Sequence, residues 1–134
     1  MKVSIIGAGN VGATCAQFIA MKGIVSEIVL LDIAEGLAAG KAMDLAQSMP
    51  ALGFDTLIYP EVDDYSKTAN SEVIVVTSGQ PRKPGMSREE LVAVNVSIVE
   101  SVVKNAVKFS PKAIFIIVTN PLDTMTLVAL KASG

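Results

Sequence analysis

Two sets of residues in this chain have the types and spacing that chemistry requires. The first is Gly7-Ala8-Gly9-Asn10-Val11-Gly12, a G-x-G-x-x-G run, with Asp32 following its last glycine at the fingerprint distance of about 20 residues. The second is a pair of arginines, Arg82 and Arg88, on either side of Lys83-Pro84-Gly85-Met86-Ser87. Glycines at that spacing suit a phosphate, because backbone N–H groups can approach it without an intervening Cβ. Guanidinium groups suit carboxylates, which they grip through two parallel hydrogen bonds. One set therefore points to a phosphorylated ligand and the other to a carboxylate.

Three glycines at this spacing arise easily by chance, so their setting decides their meaning. Before them, Val3-Ser4-Ile5-Ile6 is an apolar run of the kind a buried parallel strand needs. After them, Val11, Cys15, Phe18 and Ile19 recur at helical spacing and predict a helix with an apolar stripe. Ile28-Val29-Leu30-Leu31 then reads as a second strand that ends on Asp32. Strand, glycine turn, helix, strand and acid together form the dinucleotide fingerprint. In it Gly7 makes the sharp turn, Gly9 leaves room for a pyrophosphate, and Gly12 lets helix and strand pack closely. The helix start offers free N–H groups and a partial positive charge.

Asp32 takes the adenosine ribose hydroxyls, a role compatible with capping the next helix. It also selects between dinucleotides. A 2′-phosphate roughly 4 Å from this carboxylate would be repelled by up to about 4 kcal/mol at an effective dielectric of 20. Ile33-Ala34-Glu35-Gly36 offers no Arg or Lys to offset that repulsion, so the expected cofactor is NAD and not NADP.

Arg88 is informative because it occupies the first turn of a predicted helix, where a cation opposes the macrodipole. Local rules broken without local gain are expected at functional sites. An incoming carboxylate would satisfy both the helix end and the guanidinium, and the Gly/Pro loop beneath Arg82 could swing it onto a second carboxylate. Two surface arginines beside an ordinary Ser87 cap would give the same pattern. Asn120, before Pro121 at the end of an apolar run, sits where ligands bind in open α/β sheets. It is also a good helix cap, with Pro121 at the first helical position.

These residues need a scaffold, and the remaining pattern supplies one. A helix is predicted over 35–49; Leu45, Ala38, Met49, Ala42, Ala46, Ala39 and Met43 span an arc of about 160° on it. One sheet face needs only about 100°. The surplus predicts either a second partner, such as another subunit, or deep burial. Pro50 and Gly53 end this helix, and Thr56-Leu57-Ile58-Tyr59 is a short third strand. Glu72 to Thr77 is the fourth, and Ser78 to Met86 a loop rich in Gly and Pro. Ser87 to Phe109 is a long helix opened by a Ser87/Glu90 capping box, with Leu91, Val94, Ile98, Val102 and Phe109 as its core face. Ala113 to Val118 is the fifth strand, and a last helix runs to about Lys131. Alternating strands and helices imply an α/β, Rossmann-type doubly wound parallel sheet of about five strands, ordered 3-2-1-4-5. The fifth strand is then an apolar edge.

Bulk properties exclude several classes. A net charge of −2 gives no electrostatic reason to bind nucleic acid or an anionic membrane, and no apolar run approaches a bilayer span. A single cysteine, Cys15, forms no disulfide framework and suits a reducing cytoplasm; on the predicted apolar stripe it reads as a small core residue. No histidine is present.

Gly7–Gly12, Leu31-Asp32, Pro81 to Arg88 and Val118-Thr119-Asn120-Pro121-Leu122-Asp123 together resemble the lactate/malate dehydrogenase family along the whole chain. The arginine loop is similar to that of the bacterial and archaeal lactate-dehydrogenase-like malate dehydrogenases. The resemblance implies that Gly7, Ala8, Gly9, Asn10, Val11, Gly12 and Asp32 bind NAD, with Asn95 and the backbone of Val118, Thr119 and Asn120 also contacting it. It implies that Arg82 holds the distal carboxylate of malate or oxaloacetate, where lactate dehydrogenases usually carry Gln. Arg88 would polarise the reacting oxygen and Asn120 would hydrogen-bond the substrate. The family's proton-transferring His, its Asp partner and another substrate-binding Arg have no counterpart here. The expectation is therefore the cofactor half of a malate dehydrogenase, residues 1–134, lacking the catalytic domain and hardly turning over alone. It would form a homo-oligomer through the helix at 35–49. A stand-alone NAD-binding sensor and a self-assembling module without catalysis are the alternatives.

Overall fold

Parallel strands cannot be joined by tight turns, so each pair needs a crossover, usually a helix, that returns the chain to the same end of the sheet. The computed structural model, which describes residues 1–134, is built this way. Strands β1 (Lys2–Ile6), β2 (Glu27–Asp32), β3 (Leu57–Val62), β4 (Val73–Val76) and β5 (Ile114–Ile117) form one sheet. All pairings are parallel and the order is β3-β2-β1-β4-β5, as the pattern predicts. Helices α1 (Asn10–Met21) and α2 (Glu35–Ala51) pack on one face; α3 (Arg88–Phe109) and α4 (Leu122–Ser133) lie on the other. Alternate residues of β1 feed the two layers. Val3 and Ile5 join Ala16, Ala42 and Met49 on one side, while Ile6 joins Val102 and Ala106 on the other. The winding reverses between β1 and β4, and a crevice opens there at the carboxyl ends of the strands.

Several elements differ from the sequence expectation. The buried residues of α1 are Gly12, Ala13, Ala16 and Ala20; Val11 and Phe18 are exposed, and Cys15 and Ile19 only border the core. A Cβ at Gly12 would lie 1.8 Å from the Gly7 carbonyl oxygen. The helix sits so near β1 that only Gly and Ala fit beneath it, and the larger side chains turn to its flank. On α2 the core takes Ala38, Ala42, Leu45 and Met49, whereas Met43 faces solvent. This helix runs through Pro50 to Ala51; the proline gives up its own bond to the Ala46 carbonyl, and the helix ends one residue later. β3 continues through Pro60 to Val62; as an edge strand it has one unpartnered side on which a missing N–H costs nothing.

The capping box of α3 forms as expected: Ser87 Oγ accepts from the Glu90 N–H at 3.1 Å and Glu90 Oε2 accepts from the Ser87 N–H at 2.8 Å. Its core face is rotated from the expected one. Asn95, Val99, Val102, Val103 and Ala106 are buried, Leu91, Val94 and Ile98 are half-buried, and Phe109 is exposed. The helix serves two neighbours, the sheet and α4, and Val99 and Val103 meet Met125 and Ala129 of α4. Asn120 does not cap α4. Pro121 holds the cap position, no side chain caps the helix, and the Asn120-Pro121 bond is cis. Asp32 likewise does not cap α2, whose cap residue is Ala34.

Candidate functional site

The crevice is built outward from the glycine turn. Gly7 adopts φ +111°, open to glycine alone, and a Cβ there would strike Thr77 Oγ1 at 2.6 Å. Thr77 Oγ1 donates to the Gly7 carbonyl at 2.9 Å, so the end of β4 holds the turn in place. Gly9 differs from both Gly7 and Gly12. Its φ of −63° suits any residue, and nothing lies within 4 Å of the Cβ it lacks. Gly9 caps α1 without a side chain, and the first turn carries no acid. The amino end of α1 thus faces open space with its positive pole uncompensated, as a pyrophosphate requires.

Asp32, at the carboxyl end of β2, turns toward the same loop. Its Oδ2 accepts from the Ala8 N–H at 2.6 Å and its Oδ1 from the Ala34 N–H at 3.0 Å. Each oxygen is fixed by one backbone donor and retains a lone pair for a hydroxyl.

Two clefts meet at Gly9. One, of about 350 Å³, is bounded by Asp32, Ile33, Leu37, Tyr65, Ile98 and Val102 among others, an apolar slot with an acid at its rim. Burial, and secondarily the charge of Asp63, pushes the Tyr65 phenol up to about 12, so it remains a neutral wall of this slot. The other cleft, of about 500 Å³, is more polar and is lined by Gly9–Gly12, Gln80, Arg82, Leu91, Asn95 and Val118–Asn120 with neighbouring loop residues. Gly9, Thr77, Gly79 and Gln80 border both. An apolar slot, a phosphate cradle and a polar cleft in line suit adenosine, pyrophosphate and a second nucleoside in that order.

Most of the residues singled out in the sequence converge here. Arg82 borders the polar cleft and donates from Nε to the Met86 carbonyl at 3.0 Å. Arg88 is exposed on the first turn of α3 and does not line the cleft. None of the ion pairs includes either arginine, so no carboxylate of this chain occupies either guanidinium, and the terminal nitrogens of Arg82 remain open to an anion. Asn120 and the Val118–Thr119 backbone form the far wall. Asn95 is buried, and all its amide contacts are internal: Oδ1 accepts from the Gln80 N–H at 2.8 Å, and Nδ2 donates to the carbonyls of Gln80 at 3.3 Å and Asn120 at 2.8 Å. Sequence reasoning missed Thr77, Gly79 and Gln80. Their place just past β4, at the same sheet edge as Asp32, is the signal that would have found them.

Fold and site together define a dinucleotide-binding α/β domain. The model of the lactate/malate dehydrogenase NAD-binding domain matches residues 1–134. A malate dehydrogenase of Flavobacterium johnsoniae is 58% identical over 134 residues, covering 100% of this chain and 43% of the relative. The malate dehydrogenase of Salinibacter ruber, solved at 1.55 Å, superposes with a TM-score of 0.92 at 44% identity, covering 100% of this chain and 41% of that one. The Archaeoglobus fulgidus malate dehydrogenase in complex with NADH gives a TM-score of 0.95 at 43% identity, covering 100% and 45%. The chain belongs to the lactate/malate dehydrogenase family and is its NAD-binding domain. It spans less than half the length of the curated relatives it matches.

Proposed function

We propose that this chain is the cofactor half of a malate dehydrogenase. Its crevice holds NAD, and malate or oxaloacetate is placed against the polar cleft. NAD supplies the hydride acceptor or donor at its nicotinamide C4. The chain's own residues bind and orient. The α1 amino end and the Gly9 gap receive the pyrophosphate, Asp32 receives the adenosine ribose, and Val118–Asn120 back the nicotinamide. Arg82 grips the distal carboxylate, Arg88 swings in with the loop to polarise the C2 oxygen, and Asn120 hydrogen-bonds the substrate. The observation that carries this reading is the linear sequence of apolar slot, open glycine and polar cleft, with an acid at one end and unpaired Arg82 at the other.

With no histidine in the chain, we assign the proton transfer to the part of the longer relatives that it does not match. An uncovered face supports such a second half. Ile114 and Ile116 pair in register with Val73 and Val75, which belong to the core under α1 and α2, yet no helix covers β5 on that side. Exposed Met43 on α2 supports contact with a second subunit there. No helix is long and apolar enough to cross a membrane, and the lone cysteine suits the reducing cytoplasm in which we place the protein.

Calorimetric titration tests the cofactor assignment. NAD should bind at least tenfold tighter than NADP, and Asp32→Asn should narrow that preference by removing the carboxylate's repulsion of the 2′-phosphate, worth up to about 4 kcal/mol. Equal affinity of the native chain for the two would overturn the role given to Asp32.

A further inference from the structure

The root of the arginine loop is fastened to the far wall of the polar cleft. Asn95, 2% exposed on α3, reaches both at once through its bonds to the Gln80 peptide and the Asn120 carbonyl. Thr119 adds a second tie, its Oγ1 donating to the Ser78 carbonyl at 2.7 Å. Gly79 lies so close that a Cβ there would meet Thr119 Cγ2 at 2.6 Å. Beyond Gln80 these ties cease. Pro81 to Gly85 are exposed, and the only side-chain bond made within 81–86 is from Arg82 to the Met86 carbonyl.

A side chain with both amide hydrogens donated and its oxygen already accepting has little left for a ligand. We propose that Asn95 is a positioning residue: it locks the loop root at Gln80 to the Asn120 peptide, so that loop and cleft wall present one rigid surface to the nicotinamide end of the cofactor. This rests on the reading of the crevice as an NAD site. The fixed end of the loop is then Gln80, and movement is confined to the residues after it. The adenosine end, held by Asp32 and the glycine turn, shares no hydrogen bond with Asn95.

The experiment compares NADH with ADP-ribose, which fills the adenosine and pyrophosphate places but lacks nicotinamide, on the native chain, Asn95→Ala and Asn95→Asp. Hydrogen exchange at the Gln80 amide is followed in the same proteins without ligand. Asn95→Ala should weaken NADH about tenfold, weaken ADP-ribose at least about threefold less because that ligand meets the clamp only where Gln80 borders the adenosine slot, and release the Gln80 amide to exchange. Asn95→Asp retains an acceptor for that amide but loses the donor to Asn120. It should keep Gln80 protected while still weakening NADH selectively. Parallel loss of both ligands would mean general destabilisation and overturn the proposal. An NADH-selective loss with Gln80 still protected in Asn95→Ala would mean direct contact, and overturn it too. Failure of the native chain to bind either ligand would strike the NAD-site reading, while Gln80 exchange would still judge the clamp.

Discussion

At the scale of single residues, the glycines of the turn divide into those the fold needs and one the ligand needs. Gly12 cannot accept a Cβ, which would lie 1.8 Å from the Gly7 carbonyl oxygen. Gly12→Ala should therefore cost about 3 kcal/mol through displacement of α1 from β1, seen as a lowered denaturation midpoint. Gly9 has open space where its Cβ would go. Gly9→Ala should cost no more than about 1 kcal/mol, the difference between a good and a poor cap, yet weaken NAD at least tenfold. Equal effects of Gly9→Ala on stability and binding would show that the gap is not the phosphate seat. Tyr65 offers a test by pH. Its folded value, about 12, lies above the ordinary 10.0, so the neutral phenol is favoured by folding. The stability linked to it is fully present below pH 10 and is lost as pH rises from 10 through 12. Near-ultraviolet titration should show one tyrosine ionising late, and Tyr65→Phe should remove that late step.

At the scale of elements, the ladder of strands and helices was legible because each strand is a short apolar run bounded by turn residues. The capping box was legible because it is written within four consecutive residues, Ser87 to Glu90. What the pattern could not show is which face of a helix is buried when small residues carry the contact. Hydrophobic periodicity weights Val11 and Phe18 above Ala16 and Ala20, but distance from the sheet decides, and Gly12 sets that distance. The buried hydroxyls were equally invisible. Ser110, just past α3, accepts from the Ser71 N–H at 2.9 Å and donates to the Thr68 carbonyl at 2.6 Å. Ser71 Oγ in turn meets Ser4 Oγ at 2.7 Å. This network joins the end of α3 to the start of β4 across a separation of 39 residues, which no local pattern reports. Ser110→Ala should cost about 1 kcal/mol, since it removes the two bonds of the hydroxyl while the Ser71 N–H keeps its bond to the Thr68 carbonyl at 3.2 Å. Chemical denaturation would read this, and a change under about 0.5 kcal/mol would mean that the network adds little.

At the scale of the whole molecule, the sheet is covered unevenly, and this governs how the chain behaves alone. The groove between α1 and α2 is lined on the α1 side by Asn10, Ala13, Thr14 and Gln17. At about 100° per residue Val11 and Phe18 lie on the outward face of α1, away from buried Gly12, Ala16 and Ala20 and on the same side of the sheet as the bare face of β5. Phe18 is 61% exposed and Ile114 66%, with Ile116 and Val11 about half exposed on the same side. An apolar shelf beside an unpaired parallel edge is an association surface, because a second molecule can bury the side chains and complete the backbone ladder together. The isolated chain should thus self-associate as concentration rises, to a degree that added salt does not reduce. Ile114→Lys combined with Phe18→Glu should shift sedimentation toward the monomer while NAD affinity stays within about twofold, since neither residue lines either cleft. If the double variant associates as strongly as the native chain, the contact lies elsewhere, and exposed Met43 on α2 becomes the place to substitute next. If instead it is monomeric and still binds NAD, the crevice is complete within one copy, and the apolar shelf is the surface that holds copies together.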